Sequence, residues 1–93
     1  MTRRALRLFV RGRVQGVGYR WWTVQTARAL RLEGWVRNRS DGSVEILAIG
    51  SRDALERLAD ACRRGPSGAM VSEVGELPAE DDDSAGFSER ATL

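Results

Sequence analysis

The chain has 93 residues, 42% of them hydrophobic, which suffices for one small core without metal or disulfide staples, so residues 1–93 read as a single domain. The net charge of +2 conceals a division: ten arginines stand against Glu33 alone through Arg39, whereas five arginines meet twelve acids from Ser40 onward. The absence of histidine and lysine excludes Ser-His-Asp and Cys-His catalysis, a Walker-type phosphate lysine and a Schiff base, and the lone Cys62 excludes an internal disulfide or a zinc set.

The basic half reads either as a face for an anionic ligand or as charge that offsets the acidic half across a sheet, and the two are compatible. All the basic residues are arginine, which by itself is weak support for nucleic acid. The start of the chain is charged at intervals and too short in apolar run for a signal-peptide core or membrane span. With the unpaired Cys62, a cytoplasmic location is expected.

Ala5 to Arg11 alternates, with Leu6, Leu8 and Val10 on one face and Arg7 and Arg11 on the other, and Phe9 interrupts the polar side. This predicts a first strand. Gly12 to Arg20 follows as a glycine-rich loop leading into a helix. Glycine permits positive φ, so backbone N–H groups can converge on an anion, and the positive end of the helix adds to that concavity. Arg20, in the first turn, could grip the same anion with its planar fork of donors.

From Tyr19 the helix puts Tyr19, Thr23, Ala27 and Leu30 on one face with Val24 beside them. Trp21 and Trp22 are adjacent, so at about 100° per residue both cannot face the core. One belongs near the loop mouth or surface, as packing or as a substrate contact. The helix is predicted to stop near Leu32-Glu33-Gly34, and Trp35 to Asn38 reads as a second strand. Ser40-Asp41-Gly42 carries hairpin chemistry, and Ser43 to Ile49 forms the third strand.

Ser51 or Asp53 can cap a second helix, whose Leu55, Leu58, Ala59 and Cys62 share a face. Cys62 is thus a core thiol rather than a nucleophile. Gly65-Pro66 ends that helix, Ala69 to Leu77 reads as a fourth strand closed by Pro78, and Phe87 to Leu93 as a short edge strand. Glu80 to Ser84 is an acidic loop without the EF-hand spacing, so no metal is expected there.

The order β-α-β-β-α-β fits an α+β, ferredoxin-like sandwich: one antiparallel sheet with two helices on one face. In that topology the first two strands are parallel with the third between them, which returns Asn38 to the mouth of the glycine loop beside Arg20. The acidic loop falls at the opposite edge, leaving the anion site without a nearby carboxylate.

Gly12-Arg13-Val14-Gln15-Gly16-Val17-Gly18-Tyr19-Arg20, Gly34-Trp35-Val36-Arg37-Asn38, Asp41-Gly42-Ser43-Val44-Glu45 and Gly65-Pro66 together closely resemble the acylphosphatases. The resemblance runs over nearly the whole chain. It implies the ferredoxin-like fold and hydrolysis of the carboxyl–phosphate bond of a small-molecule acyl phosphate, with no metal or cofactor. By the same resemblance Arg20 is the phosphate-binding arginine and Asn38 the residue that orients the attacking water. Gln15, Gly16, Val17, Gly18 and Tyr19 would bind the phosphoryl group through their backbone. Arg31 departs from a family glycine at the end of the first helix, and Arg39 from a small hydroxyl residue.

The competing reading is a non-catalytic anion or nucleic-acid binding module on the same fold. Only Phe9 and Trp35 offer strand aromatics for stacking bases, so nucleic acid is disfavoured. No membrane partner is expected, and the domain is read as a monomer.

Overall fold

In the computed structural model, which describes residues 3–93, the alternating first segment forms β1 (Arg4–Arg13). It is followed by α1 (Tyr19–Ala29), β2 (Glu33–Asn38), β3 (Val44–Gly50), α2 (Arg52–Arg64), β4 (Met70–Ala79) and β5 (Phe87–Glu89). The strands form one sheet in the order β4-β1-β3-β2-β5. β3 lies antiparallel between β1 and β2, as the ferredoxin-like topology requires, so the ends of β1 and β2 reach the same edge.

The sheet is mixed rather than wholly antiparallel, because β5 pairs parallel to β2 with Gly34, Trp35 and Val36 opposite Phe87, Ser88 and Glu89. Phe87 drives that pairing. Its ring is 2% exposed within the main core, and Arg28 on α1 donates to its carbonyl at 3.2 Å.

Strand alternation separates two apolar layers. Leu8, Val10, Val36, Val44, Ile46 and Ala48 face the helices and pack with Val24, Ala27, Leu55, Leu58 and Cys62. On the open face Trp35, Leu47 and Ile49 form a smaller cluster. The guanidinium groups of Arg37 and Arg90 lie 4.6 and 4.9 Å from the Trp35 ring centroid, and that of Arg39 lies 5.8 Å from Phe9. Phe9 therefore does not break the pattern, since the open face has an apolar layer of its own.

Several ends differ from the sequence reading. β1 continues to Arg13 through a register shift between Arg11 and Gly12. A Cβ on Gly12 would sit 2.2 Å from the Met70 carbonyl oxygen, which is why the strand can bend toward its loop only with glycine there. α1 stops at Ala29, short of Leu32, in a Schellman closure: Leu32 N–H donates to the Ala27 carbonyl and Arg31 N–H to that of Arg28. Ser51, not Asp53, caps α2 by accepting from Ala54 N–H at 3.2 Å. β4 runs through Pro78, which an edge strand tolerates because its missing N–H need not serve a ladder.

The acidic loop lies at the end of β4 remote from the glycine loop. Arg3 bonds Asp81 at 2.8 Å, and the Trp35 indole donates to Asp82 at 3.2 Å. Among the described residues no helix is long and apolar enough to cross a membrane.

Candidate active site

The loop between β1 and α1 is shaped by backbone rather than side chains. Gly16 and Gly18 hold φ of 75° and 78°, and open space surrounds the position of a Cβ at each, so the positive φ alone calls for glycine. Gly18 is the N-cap of α1 and provides no side-chain acceptor. The N–H groups at the start of α1 have no intrahelical partner, and those of Gly16 to Gly18 reach no backbone carbonyl among the described residues. The result is a set of N–H donors without backbone partners at the positive end of a helix.

Tyr19 anchors that helix end. Its ring is 1% exposed, stacks edge-on against Trp22 at 5.3 Å, and its hydroxyl donates to the Cys62 carbonyl at 2.7 Å. Burial raises the pKa of this phenol, which therefore stays a neutral donor. With Trp22 packed against the core, Trp21 on the next helical position is left 63% exposed.

Asn38 ends β2, two residues past the fully buried Val36 and therefore on the same, helix-facing side. Its carbonyl accepts from Leu93 N–H at 3.0 Å. Its side-chain amide bonds no other described residue.

Arg20 and Asn38 line one cleft of about 210 Å³ together with Val14, Gly16, Gly18, Tyr19, Trp21 and Glu89. Five of the residues expected from sequence thus converge: Gly16, Gly18, Tyr19, Arg20 and Asn38. Gln15 and Val17 do not line the cleft. Val17 packs against the core, and the Gln15 amide donates to the carbonyls of Arg39 and Ser43 at 2.8 and 2.9 Å. Their place in the loop is structural at the side chain.

Glu89 overturns the expectation of a carboxylate-free edge. Its Oε1 lies 3.7 Å from Arg20 Nε. The cause is the parallel strand: Phe87 points into the core beneath α1, and two residues on Glu89 points to the same side, toward the first helical turn. The apolar Phe87 was the one sequence signal for this placement. Chemically, the cleft brings together loop N–H groups without backbone partners, the Arg20 guanidinium paired with Glu89 and the Asn38 amide, and Glu89 is the one carboxylate lining it among the described residues.

A family model described as Acylphosphatase matches residues 6–89. An acylphosphatase of Acidiphilium cryptum is 52% identical over 88 residues, covering 95% of this chain and 97% of that protein. One from Rhodospirillum rubrum is 49% identical over 84 residues, covering 90% and 92%. The solved acylphosphatase of Coxiella burnetii superposes with a TM-score of 0.91 at 36% identity, covering 95% of this chain and 93% of that one. The chain belongs to the acylphosphatase family, hydrolases of the carboxyl–phosphate bond of acyl phosphates.

Proposed function

We propose that in this acylphosphatase Arg20 and the backbone N–H groups of the Gln15–Tyr19 loop hold the phosphoryl group, while the Asn38 side-chain amide orients the attacking water. The observation that carries this reading is that Arg20, the uncapped start of α1 and the unpartnered Asn38 amide line one cleft. Hydrolysis forms a bond from water oxygen to phosphorus and breaks that from phosphorus to the acyl oxygen. The carboxylate departs with the bonding pair, and the protons of water end on phosphate and solvent.

Charge accumulates on the equatorial phosphoryl oxygens, where N–H donors and a guanidinium already in place stabilise it without reorganising. A carboxylate is a good leaving group. A strong base is then dispensable, and Asn38 contributes by orientation. The same reading has the protein acting as a monomer on a small molecule, without metal, and in the cytoplasm, where the free and buried Cys62 would stay reduced.

Purified protein should hydrolyse benzoyl phosphate in the presence of EDTA. Arg20→Ala and Asn38→Ala should each lose on the order of a hundredfold or more in activity. Arg20→Ala should also weaken inhibition by inorganic phosphate, whereas Asn38→Ala should leave it nearly intact. Near wild-type turnover in either folded variant would refute the assigned roles.

A further inference from the structure

Resting on the reading above, the cleft divides into a part that holds phosphate and a part that does not. The loop N–H groups and Arg20 belong to the first. Of the other side chains lining it, Trp21 and Glu89 remain at the mouth, beside Asn38. An acyl phosphate seated with its phosphoryl group at the loop would extend its acyl body along a cleft that these two residues line.

Each has a distinct chemistry. Trp21 is a large apolar side chain left 63% exposed, while its neighbour Trp22 packs into the core. Isolated exposed apolar residues are ordinary, but this one lines the cleft, where an aromatic acyl group could cover it. Glu89 contributes a carboxylate whose nearest cation is Arg20, at 3.7 Å. Arg20 is the sole cationic side chain lining the cleft among the described residues. Once the phosphoryl group occupies it, a second anionic group on the acyl body would find no cation and would face Glu89.

We propose that Trp21 and Glu89 set acyl-group specificity, favouring uncharged aromatic acyl phosphates and rejecting those whose acyl group bears a second carboxylate. Trp21 does so by apolar contact, a kind of discrimination worth roughly 10–200-fold in an enzyme pocket. Glu89 does so by repulsion, which specificity commonly requires in addition to attraction.

The test compares kcat/KM for benzoyl, acetyl and succinyl phosphate in the wild type, Trp21→Ala and Glu89→Gln. Ratios between substrates cancel any change in Arg20 that affects all three alike. Wild type should prefer benzoyl over acetyl and acetyl over succinyl phosphate. Trp21→Ala should reduce the benzoyl-to-acetyl ratio about tenfold, with inhibition by inorganic phosphate unchanged. Glu89→Gln should raise the succinyl-to-acetyl ratio about tenfold, and raising the salt concentration should have a similar though smaller effect in the wild type. Active variants whose ratios match wild type would overturn this specificity assignment and leave the hydrolase reading intact. A wild type inactive on all three substrates would instead overturn the reading of the cleft and the specificity with it.

Discussion

The Gln15 side-chain amide donates to the Arg39 backbone carbonyl at 2.8 Å, tying the glycine loop to the residue that follows Asn38. A second bond from the same nitrogen, 2.9 Å to the Ser43 carbonyl, spans the base of the hairpin. The two parts of the site come from segments distant in sequence, and this amide fixes their spacing. Gln15→Ala should cost about 1 kcal/mol of stability for the lost hydrogen bonds. It should also lower kcat/KM roughly tenfold by loosening the alignment of water and phosphoryl group. Gln15→Glu should be worse on both counts, since a carboxylate cannot donate to either carbonyl. Thermal melts and benzoyl phosphate kinetics check this, and a Gln15→Glu protein as active as Gln15→Ala would contradict it.

Arg31 closes α1 with a φ of 59°, the left-handed conformation in which a Cβ is strained. The Schellman hydrogen bonds around it are made by backbone and would persist with glycine. Arg31→Gly should therefore stabilise the protein by about 1 kcal/mol, less whatever entropy glycine adds to the unfolded chain. For a domain of this size that is a rise of about 4–8 °C in Tm. An unchanged or lowered Tm would mean that the arginine side chain compensates the strain.

Cys62 lies on the core face of α2 with no exposed surface, and burial pushes its thiol up to about 12. Native protein near neutral pH should thus be alkylated far more slowly than a free thiol, because the buried sulfur is both out of reach and held protonated. Its labelling should rise only with denaturant, along the same curve as the loss of tertiary structure. Rapid labelling of the folded protein would refute the buried assignment.

Much of the architecture was legible because local and global signals agreed. The period-two pattern of Leu6, Leu8 and Val10, the glycines before Tyr19 and the Asp41-Gly42 turn each act within a few residues, and the crossover rule then brought Asn38 to Arg20. What escaped detection depends on distant pairing. β5 has three residues, and its parallel register against β2 is set by the packing of Phe87, so the position of Glu89 could not be read from its own neighbours. The Gln15 side chain was hidden for a similar reason. Its acceptors are carbonyls, which every residue possesses, and only the folded hairpin selects those of Arg39 and Ser43.

Glu45 is the acid whose titration should matter most to stability. It is 1% exposed on the open face, and Oε1 accepts from Arg37 Nε and from an Arg39 terminal nitrogen, each at 2.8 Å. Burial by itself raises this carboxyl's pKa, but the hydrogen bonds and charges of Arg37 and Arg39 outweigh it and hold the group below its ordinary value. Because the folded pKa lies below the unfolded one of about 4.3, the stabilisation is fully present above that pH and is lost as pH falls through the folded value. Glu45→Gln should remove this contribution and leave three arginines, Arg7 included, without their shared anion. The expected cost near neutral pH is about 2 kcal/mol, moderated because the guanidinium groups retain partial contact with water. Below about pH 4 the difference from wild type should narrow as wild-type Glu45 itself becomes protonated. Urea titrations at neutral and acid pH measure both effects, and a wild-type-to-variant difference that stayed constant down to low pH would show that Glu45 is not the group responsible.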